Sequence, residues 1–279
     1  MKKEEVDQII RAINSQKGST CSHTMIVFLK NSFPNTSEQT LRSIYSQEVC
    51  RKMKFTHGRH KAKGAEYLKK YMEERSVGKS TLLTMAADLH FSPALLAKVI
   101  LDAMACDSSE GTKTKCVTNK MLRDTSLIDD RILAQDVHLC VLSDDHYGPL
   151  SDSISHSFGQ QYEHTLGLQL MEKQIPFLAE DQLRELGLDK TPDIKLEVPV
   201  AVDGFVIHWI ESKALFGSEE WHDRFVKKQL SAYWNRFGPG LVIYWYDYVD
   251  TIKSMHEKHL MVANCLPPDI VMMDPLKRP

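Results

Sequence analysis

Two acidic residues and a lysine in the second half of the chain have the types and spacing of a divalent-metal site. Pro192-Asp193 is followed further along by Glu211-Ser212-Lys213. Residues two apart on a strand point to the same face, so Glu211 and Lys213 would share one side. Carboxylate oxygens suit Mg²⁺ or Mn²⁺, and such a cation makes a water more nucleophilic and neutralises charge on a phosphate. Lys213 would position that water and add positive charge in the transition state, with the Ser212 carbonyl as a further candidate ligand.

The β-hairpin that must position these residues cannot be regular. Asp203-Gly204 separates two β-rich runs and is a strong hairpin signal. An unbroken two-residue hairpin would place Asp193 opposite Ala214, on the other face from Glu211. A shared site therefore needs one inserted residue in the register. We predict a β-bulge at Val198-Pro199, or a longer loop than the turn signal implies, because proline inside a strand is found at bulges or edges.

The order Pro192-Asp193, then Glu211-x-Lys213, resembles the signature of the PD-(D/E)XK nuclease superfamily. The resemblance implies an α/β C-terminal restriction-endonuclease-like core whose catalytic residues are Asp193, Glu211 and Lys213. In that superfamily a glutamate on the preceding helix often completes the metal shell. This implies that Glu163, in Gln160-Gln-Tyr-Glu163, is a third metal-ligating side chain.

A second motif follows the hairpin. Gln229-Leu-Ser-Ala-Tyr233 is similar to the Q-x-x-x-Y motif of the RecB-like branches of the superfamily. A spacing of four residues puts Gln229 and Tyr233 on one face of a helix, which we predict from about Glu219 to Arg236. The resemblance implies that Gln229 aligns the substrate or Lys213. Tyr233 and Arg236 would bind the substrate.

Longer stretches resemble one particular family, the codanin-interacting nucleases. They are His208-Trp-Ile-Glu-Ser-Lys-Ala, Tyr233-Trp-Asn-Arg-Phe-Gly-Pro-Gly, Asp181-Gln-Leu-Arg, Lys190-Thr-Pro-Asp and Tyr147-Gly-Pro-Leu. The match runs over essentially the whole chain. It implies a metal-dependent, structure-selective DNA nuclease similar to archaeal Holliday-junction resolvases, with N-terminal helix-turn-helix modules. It also implies a complex with codanin in chromatin-related erythroid maturation, in the nucleus and cytoplasm.

The sequence pattern of the N-terminal half predicts helices. Ser37 is a plausible N-cap, and Ser92-Pro93 is a good helix start because proline at the first helical position loses no hydrogen bond. Two short helices around Ser92 form a helix-turn-helix-like pattern, although any three-helix bundle has the same periodicity. We therefore expect three regions: a helical, basic, helix-turn-helix-like region over 1–75, a second such region with a connector over 76–125, and the nuclease-like α/β domain over 126–279.

Charge is unevenly distributed along the 279 residues. Residues 1–125 contain 21 Lys and Arg against 13 Asp and Glu, whereas the remainder contains 14 against 24. A basic half can attract polyanions such as DNA. No apolar run is long enough to span a bilayer, and the first residues lack the apolar stretch of a signal peptide. The six cysteines are scattered without a C-x-x-C pair, which is typical of reduced thiols.

Two alternatives stay open at the level of sequence. A non-catalytic adaptor that binds nucleic acid or chromatin could keep the same residues as a vestigial metal site. RNA could replace DNA as the substrate, and a homodimer is a candidate assembly because many resolvase-like enzymes dimerise.

Overall fold

Helices occupy the described chain up to Glu172, and every described strand comes after that residue. The computed structural model describes residues 1–16, 22–76, 81–106 and 114–273. Two units are present: a helical unit of residues 14–28 and 45–156, and an α/β unit of residues 1–13, 29–44 and 157 onwards. The expected combination of a helical N-terminal half and an α/β C-terminal half is confirmed.

The bounds of the described α-helices are, in chain order, α1 Lys3–Ser15, α2 Ser22–Ser32, α3 Glu38–Ala62, α4 Gly64–Ser76, α5 Leu82–Asp88, α6 Pro93–Cys106, α7 Thr114–Arg123, α8 Arg131–Leu142, α9 Pro149–Glu172, α10 Glu180–Glu185, α11 Glu219–Phe225 and α12 Ser231–Phe237. A π-helical segment, Val226–Leu230, joins α11 to α12. The strands are β1 Phe177–Ala179, β2 Ile194–Val202, β3 Phe205–Lys213, β4 Gly240–Tyr244, β5 Leu260–Ala263 and β6 Val271–Met272.

The predicted helix starts are present. The Ser37 hydroxyl accepts a hydrogen bond from the backbone N–H of Thr40 at 3.1 Å, which satisfies one of the free donors at the start of α3. The Ser92 hydroxyl accepts the N–H of Leu95 at 3.1 Å and so caps α6. These N-caps were predictable because capping depends on residues close in sequence.

Helix α6 is the central helix of the helical unit. It lies at 112° to α5, an angle typical of helix-turn-helix pairs. However, none of its described side chains is exposed, and its apolar residues join the core of this unit. A DNA-recognition helix needs an open face that can enter the major groove. The periodicity of α6 is therefore explained by its packing within a helical bundle.

Among the described residues, no single helix is long and apolar enough to span a membrane. The pair α5 and α6 meets the requirement of length and composition only when the two bent helices are taken together.

The α/β unit contains a mixed sheet in the order β1-β2-β3-β4-β5, with β6 beside β2. Strand β2 pairs antiparallel with β1, β3 and β6, whereas β3, β4 and β5 run parallel. The β2–β3 turn is Asp203-Gly204, as predicted, and both residues have positive φ, at 50° and 79°. Parallel β3 and β4 require a crossover, which α11, the π-helical segment and α12 provide. The predicted helix over Glu219–Arg236 is confirmed, with the π-helical segment inside it.

The two faces of the sheet carry different kinds of side chain. Leu166 and Leu170 of α9 belong to an apolar cluster that includes Ile210 and Ile243. Neighbouring strand residues alternate between faces, so Trp209, Glu211 and Lys213 lie on the other side. Tyr233 of α12 packs edge-on against the Trp209 indole there, with ring centroids 5.3 Å apart. The polar residues of interest therefore lie on the face covered by α11 and α12.

Trp209 is fully buried because the neighbouring strand offers it a residue without a side chain. Its indole N–H donates to the Gly238 carbonyl at 2.8 Å, and its ring lies against the Cα of Gly240. A Cβ at position 240 would overlap three atoms of the indole. Gly240 is thus required for the packing that holds β3 beside β4.

His222 fixes α11 to the sheet. It is fully buried, and one ring nitrogen, Nδ1, lies 2.9 Å from the Tyr244 hydroxyl. Burial, followed by the charge of His256, lowers the pKa of His222 to about 4, against a smaller opposing effect of Asp223. The imidazole is therefore neutral near pH 7.

The N-terminus belongs to the α/β unit. The amino group of Met1 donates to the Tyr248 carbonyl at 2.9 Å. The Thr40 hydroxyl donates to the Tyr246 carbonyl at 2.9 Å, and the Ser43 hydroxyl accepts the N–H of Phe216 at 2.8 Å. The start of the chain thus packs against the loops that follow β3 and β4.

We expect Gly240→Ala to lower the free energy of unfolding by about 3 kcal/mol, because the new methyl group must displace the indole or the strand. Urea denaturation followed by circular dichroism measures the change. Gly159→Ala in α9 is the matched control in the same unit, since its Cβ meets only an ordinary contact at 3.9 Å. It should be neutral or stabilising, because alanine is preferred in helices. A Gly240→Ala protein as stable as the wild type would contradict the described packing.

We expect His222 to make folding sensitive to acid. Its pKa of about 4 in the folded protein lies below the ordinary value of 6.5, so the unfolded state binds the proton more readily. The free energy of unfolding should therefore fall by up to about 3 kcal/mol as the pH drops from 6.5 to 4. Denaturation at a series of pH values should show a shallower dependence in His222→Gln. His156→Gln, at an exposed histidine, is the control, and equal slopes in His222→Gln and wild type would refute the expectation.

Candidate active site

The register of β2 against β3 changes in the region where the bulge was predicted. Next to the turn, Val202 pairs with Phe205, but Lys195 pairs with Trp209, and the irregularity lies between Lys195 and Val200. An unbroken register would have paired Lys195 with Ser212, so the shift is an odd number of residues. An odd shift exchanges the two faces of a strand. Asp193 therefore comes to the edge of β3 beside Glu211. The predicted bulge is confirmed, although the register moves by three residues and not by one.

Three hydrogen bonds join the residues of this cluster. The backbone N–H of Ser212 donates to Asp193 Oδ2 at 2.7 Å, and the N–H of Asp193 donates to Glu211 Oε2 at 3.3 Å. The Lys213 ammonium donates to Glu211 Oε1 at 2.5 Å. Side-chain exposure is 2% for Glu211 and 15% for Lys213. The two carboxylates and the ammonium are thus held together with little access to water.

The pKa values of Asp193 and Lys213 follow from this close approach of buried charges. Burial, and then the negative charge of Glu211, raises the pKa of Asp193 well above its ordinary value, and Glu163 adds to the increase. Burial alone would lower the pKa of Lys213. The charges of Glu211 and Asp193 outweigh burial, so the pKa of Lys213 is raised and its amine stays protonated. The cluster therefore favours a bound cation and disfavours ionisation of both carboxylates at once.

Ser212 lies between the carboxylates and an aromatic group. In a strand, the N–H and C=O of one residue point to the same side. Because the Ser212 N–H points to Asp193, its carbonyl is also directed to the β2 side of β3, as a metal ligand from this residue requires. On the other face of the sheet, the Trp245 indole N–H donates to Ser212 Oγ at 2.8 Å.

Glu163 acts on the cluster from another element of the fold. It lies on α9, is exposed, and affects the pKa values of both Asp193 and Lys213. Within the described ranges, no three acidic, histidine or cysteine side chains lie close enough together to form a metal-binding group. The structure thus brings together Asp193 and Glu211, with Glu163 as an acidic neighbour on another element.

The remaining predicted site residues are distributed along one helix. Gln229 lies in the π-helical segment and is half-buried. Tyr233 is buried against Trp209, and burial, followed by the charges of Glu211 and Asp193, raises its pKa. Arg236 is exposed and donates to Asp189 Oδ1 at 3.1 Å. π-Helical turns occur often at functional sites, and this one widens the helix at Gln229.

Some neighbours of the cluster were not identified from the sequence. The Lys213 ammonium lies 5.1 Å from the centre of the Phe225 ring, a cation–π contact. Tyr162 stacks on Trp245 with ring centroids 5.0 Å apart. Tyr246 meets Tyr162 edge-on at 5.6 Å. The available signal was that Tyr162 directly precedes Glu163, but a helix alone does not show what its residues face.

The donor set fits a hard divalent cation. Asp193 and Glu211 offer carboxylate oxygens, and Ser212 offers a backbone carbonyl, all of them oxygen ligands. Mg²⁺ is usually held by one or two carboxylates and keeps several waters, so it does not require a full protein cage. After burial, the charge of Glu211 is the second cause of the raised pKa of Asp193, and a divalent cation would relieve this repulsion. The arrangement can therefore hold Mg²⁺ or Mn²⁺ beside a protonated lysine.

Comparison with known proteins identifies the family of the chain. Residues 129–266 match a family model described as a protein of unknown function with a TPD sequence motif. The chain contains Thr191-Pro192-Asp193 within that range, and Thr191 and Pro192 are buried beside the candidate ligand Asp193. No solved structure matches the chain.

Several curated proteins are similar over most of the chain, and all those compared are named CDAN1-interacting nuclease 1. The Xenopus laevis protein is 46% identical over 249 residues, which cover 88% of this chain and 82% of that protein. The Homo sapiens protein is 43% identical, with 88% and 89% covered. The Danio rerio protein is 40% identical over 246 residues, with 87% and 82% covered. The resemblance found in the sequence is confirmed, and this chain belongs to the CDAN1-interacting nuclease 1 family.

Proposed function

We propose that this chain is a divalent-metal-dependent nuclease that hydrolyses DNA phosphodiester bonds, with selectivity for the structure of the DNA. The observation that carries the proposal is the odd register shift in β2, which puts Asp193 beside Glu211 and Lys213. The names of the relatives describe those proteins as nucleases. The proposal includes a PD-(D/E)XK-type core, with the motif residues just before β2 and on β3 of the mixed sheet.

Each residue of the site has a role in this proposal. Asp193, Glu211 and the Ser212 carbonyl would hold Mg²⁺ or Mn²⁺, and Glu163 would complete the ligand set. When bound, the ion supplies positive charge that favours ionisation of a water and offsets the charge developing on the phosphate. Lys213 donates hydrogen bonds to the attacking water and to the developing oxyanion.

The α11–α12 helix would orient the substrate. Gln229 is half-buried in the π-helical segment and would align the substrate or Lys213. Tyr233 is buried against Trp209 and would act on the site through this packing. Arg236 is exposed and exchanges its bond to Asp189 for a phosphate oxygen of the substrate. Arginine suits this exchange because its donors match phosphate geometry.

We expect Asp193→Asn and Glu211→Gln to lower metal-dependent cleavage by at least about 100-fold, since each removes a charged ligand worth several kcal/mol in the transition state. Lys213→Met should lower it by a similar factor. Labelled branched, flap and single-stranded DNA, together with the matching RNA strands, measure the activity with Mg²⁺ and Mn²⁺.

The control for these variants is Glu197→Gln, because Glu197 is an exposed acidic residue on the same strand, β2. It should cleave like the wild type. Thermal unfolding should show that all four variants are folded. Full cleavage by both Asp193→Asn and Glu211→Gln would refute the assignment, and cleavage of RNA alone would change the proposed substrate.

A basic surface in the helical unit would attract the DNA. Lys52, Arg59 and Lys61 are exposed along the second half of α3. Phe55 lies among them with 78% of its surface exposed. Positive charges with an exposed aromatic ring are typical of surfaces that bind nucleic acid.

We expect the triple variant Lys52→Gln, Arg59→Gln, Lys61→Gln to bind DNA more weakly and with less dependence on salt. Each lost phosphate contact should reduce the slope of log K against log salt by about 0.9. The matched control is Lys69→Gln, Lys70→Gln on α4, where the ammonium groups are already paired with Glu73 and Glu74 at 3.9 and 3.6 Å. Fluorescence anisotropy at several salt concentrations measures both, and equal slopes for the two variants would contradict the role of α3.

We propose codanin as the protein partner, because the relatives are named for their interaction with CDAN1. The protein would act in chromatin-related erythroid maturation, in the nucleus and cytoplasm. A homodimer is the candidate assembly.

The rival function is a non-catalytic adaptor that binds nucleic acid or chromatin. The ion pair between Lys213 and Glu211 favours that rival in one respect, since it already satisfies one carboxylate without a metal. DNA binding without cleavage under any condition above would select the adaptor.

A further inference from the structure

Three aromatic side chains form a partly exposed group in the α/β unit. Tyr162 of α9 stacks on Trp245, with centroids 5.0 Å apart and planes at 27°. Tyr246 meets Tyr162 edge-on, with planes at 78°. All three rings are half-buried, in contrast to the fully buried Trp209 on the opposite face of the same sheet. The group therefore keeps ring surface in contact with solvent.

A short chain of bonds connects this group to the proposed site. The Trp245 indole donates to Ser212 Oγ at 2.8 Å, and the backbone N–H of Ser212 donates to Asp193 at 2.7 Å. Trp245 directly follows Tyr244, which pairs with Lys213 in the β3–β4 ladder. Its position is thus fixed by the same strands that position the carboxylates.

Helix α9 supplies a second connection. Tyr162 is followed directly by Glu163, whose charge acts on both Asp193 and Lys213. Tyr162 and Glu163 are thus consecutive residues of α9, the first stacked on Trp245 and the second acting on the charged cluster. In the proposed nuclease, the aromatic group would face the base next to the phosphate that is cleaved.

We propose that Tyr162, stacked on Trp245, is a binding site for one unpaired nucleobase next to the scissile phosphate. The inference rests on the proposed nuclease function. Base stacking on aromatic rings tolerates any sequence because every base has a π-face. Such a site selects DNA in which a base is free to leave the duplex, as in a flap, a branch point or a single strand. It would thereby give the enzyme its preference for DNA structure.

The test compares Tyr162→Ala and Tyr162→Phe on two kinds of single strand and flap. One kind carries a base at every nucleotide, and the other has a single abasic residue placed at each position in turn. Binding is measured by fluorescence anisotropy and cleavage by single-turnover assay with Mn²⁺. Tyr162→Phe keeps the ring and serves as the matched control, while circular dichroism checks the fold of both variants.

The expected result is that Tyr162→Ala weakens binding of the fully based strand about 10-fold or more, whereas Tyr162→Phe stays close to the wild type. One abasic position should weaken wild-type binding by the same factor and leave Tyr162→Ala unaffected. Equal effects of Tyr162→Ala on both kinds of strand, or no effect, would overturn the proposal. A wild type that binds as expected but never cleaves would instead overturn the nuclease function, and a wild type that cleaves with Tyr162→Ala unchanged would overturn only the base site.

Discussion

The register shift between β2 and β3 is the constraint on which the candidate site depends. A hairpin with a tight turn fixes the face of every residue in both strands, and Asp193 would then lie on the face opposite Glu211. The irregularity between Lys195 and Val200 exchanges the faces of the first half of β2 and leaves the turn unchanged. Bulges are common beside active sites because they re-aim a side chain in this way. Asp193 takes its place beside Glu211, Ser212 and Lys213 of β3 from this one feature.

Charge balance is the second requirement of the site. Asp193 and Glu211 lie close together in surroundings with little water, and this raises the pKa of Asp193. In the absence of a metal ion, the Lys213 ammonium and the Ser212 N–H stabilise the pair. Lys213 has to neutralise Glu211 and, in the proposed reaction, hold a water as well. The same residues can therefore serve a metal site or a stable ion pair, which is why nuclease and adaptor remain chemically close.

Local signals allowed much of the fold to be predicted, and contacts between distant residues account for the rest. The Asp203-Gly204 turn, the bulge near Pro199 and the Ser37 cap depend on neighbouring residues, so the sequence contains their causes. The covered face of α6 depends on packing by four other helices, and its own periodicity is the same in either arrangement. The bond from Met1 to Tyr248 joins residues 247 positions apart, which no local pattern can indicate. The site motif was recognisable because its residues are few and ordered, whereas the stacking of Tyr162 on Trp245 required the helix position.

The central claim is that Asp193 and Glu211 form one cation-binding site. Calorimetric titration of Mg²⁺ and Mn²⁺ into the wild type and into Asp193→Asn tests it without reference to any substrate. The account predicts saturable binding of one ion by the wild type and loss of that binding in Asp193→Asn, because Glu211 is already paired with Lys213 and Glu163 lies on another element. Absence of binding by the wild type, or equal binding by both proteins, would contradict it.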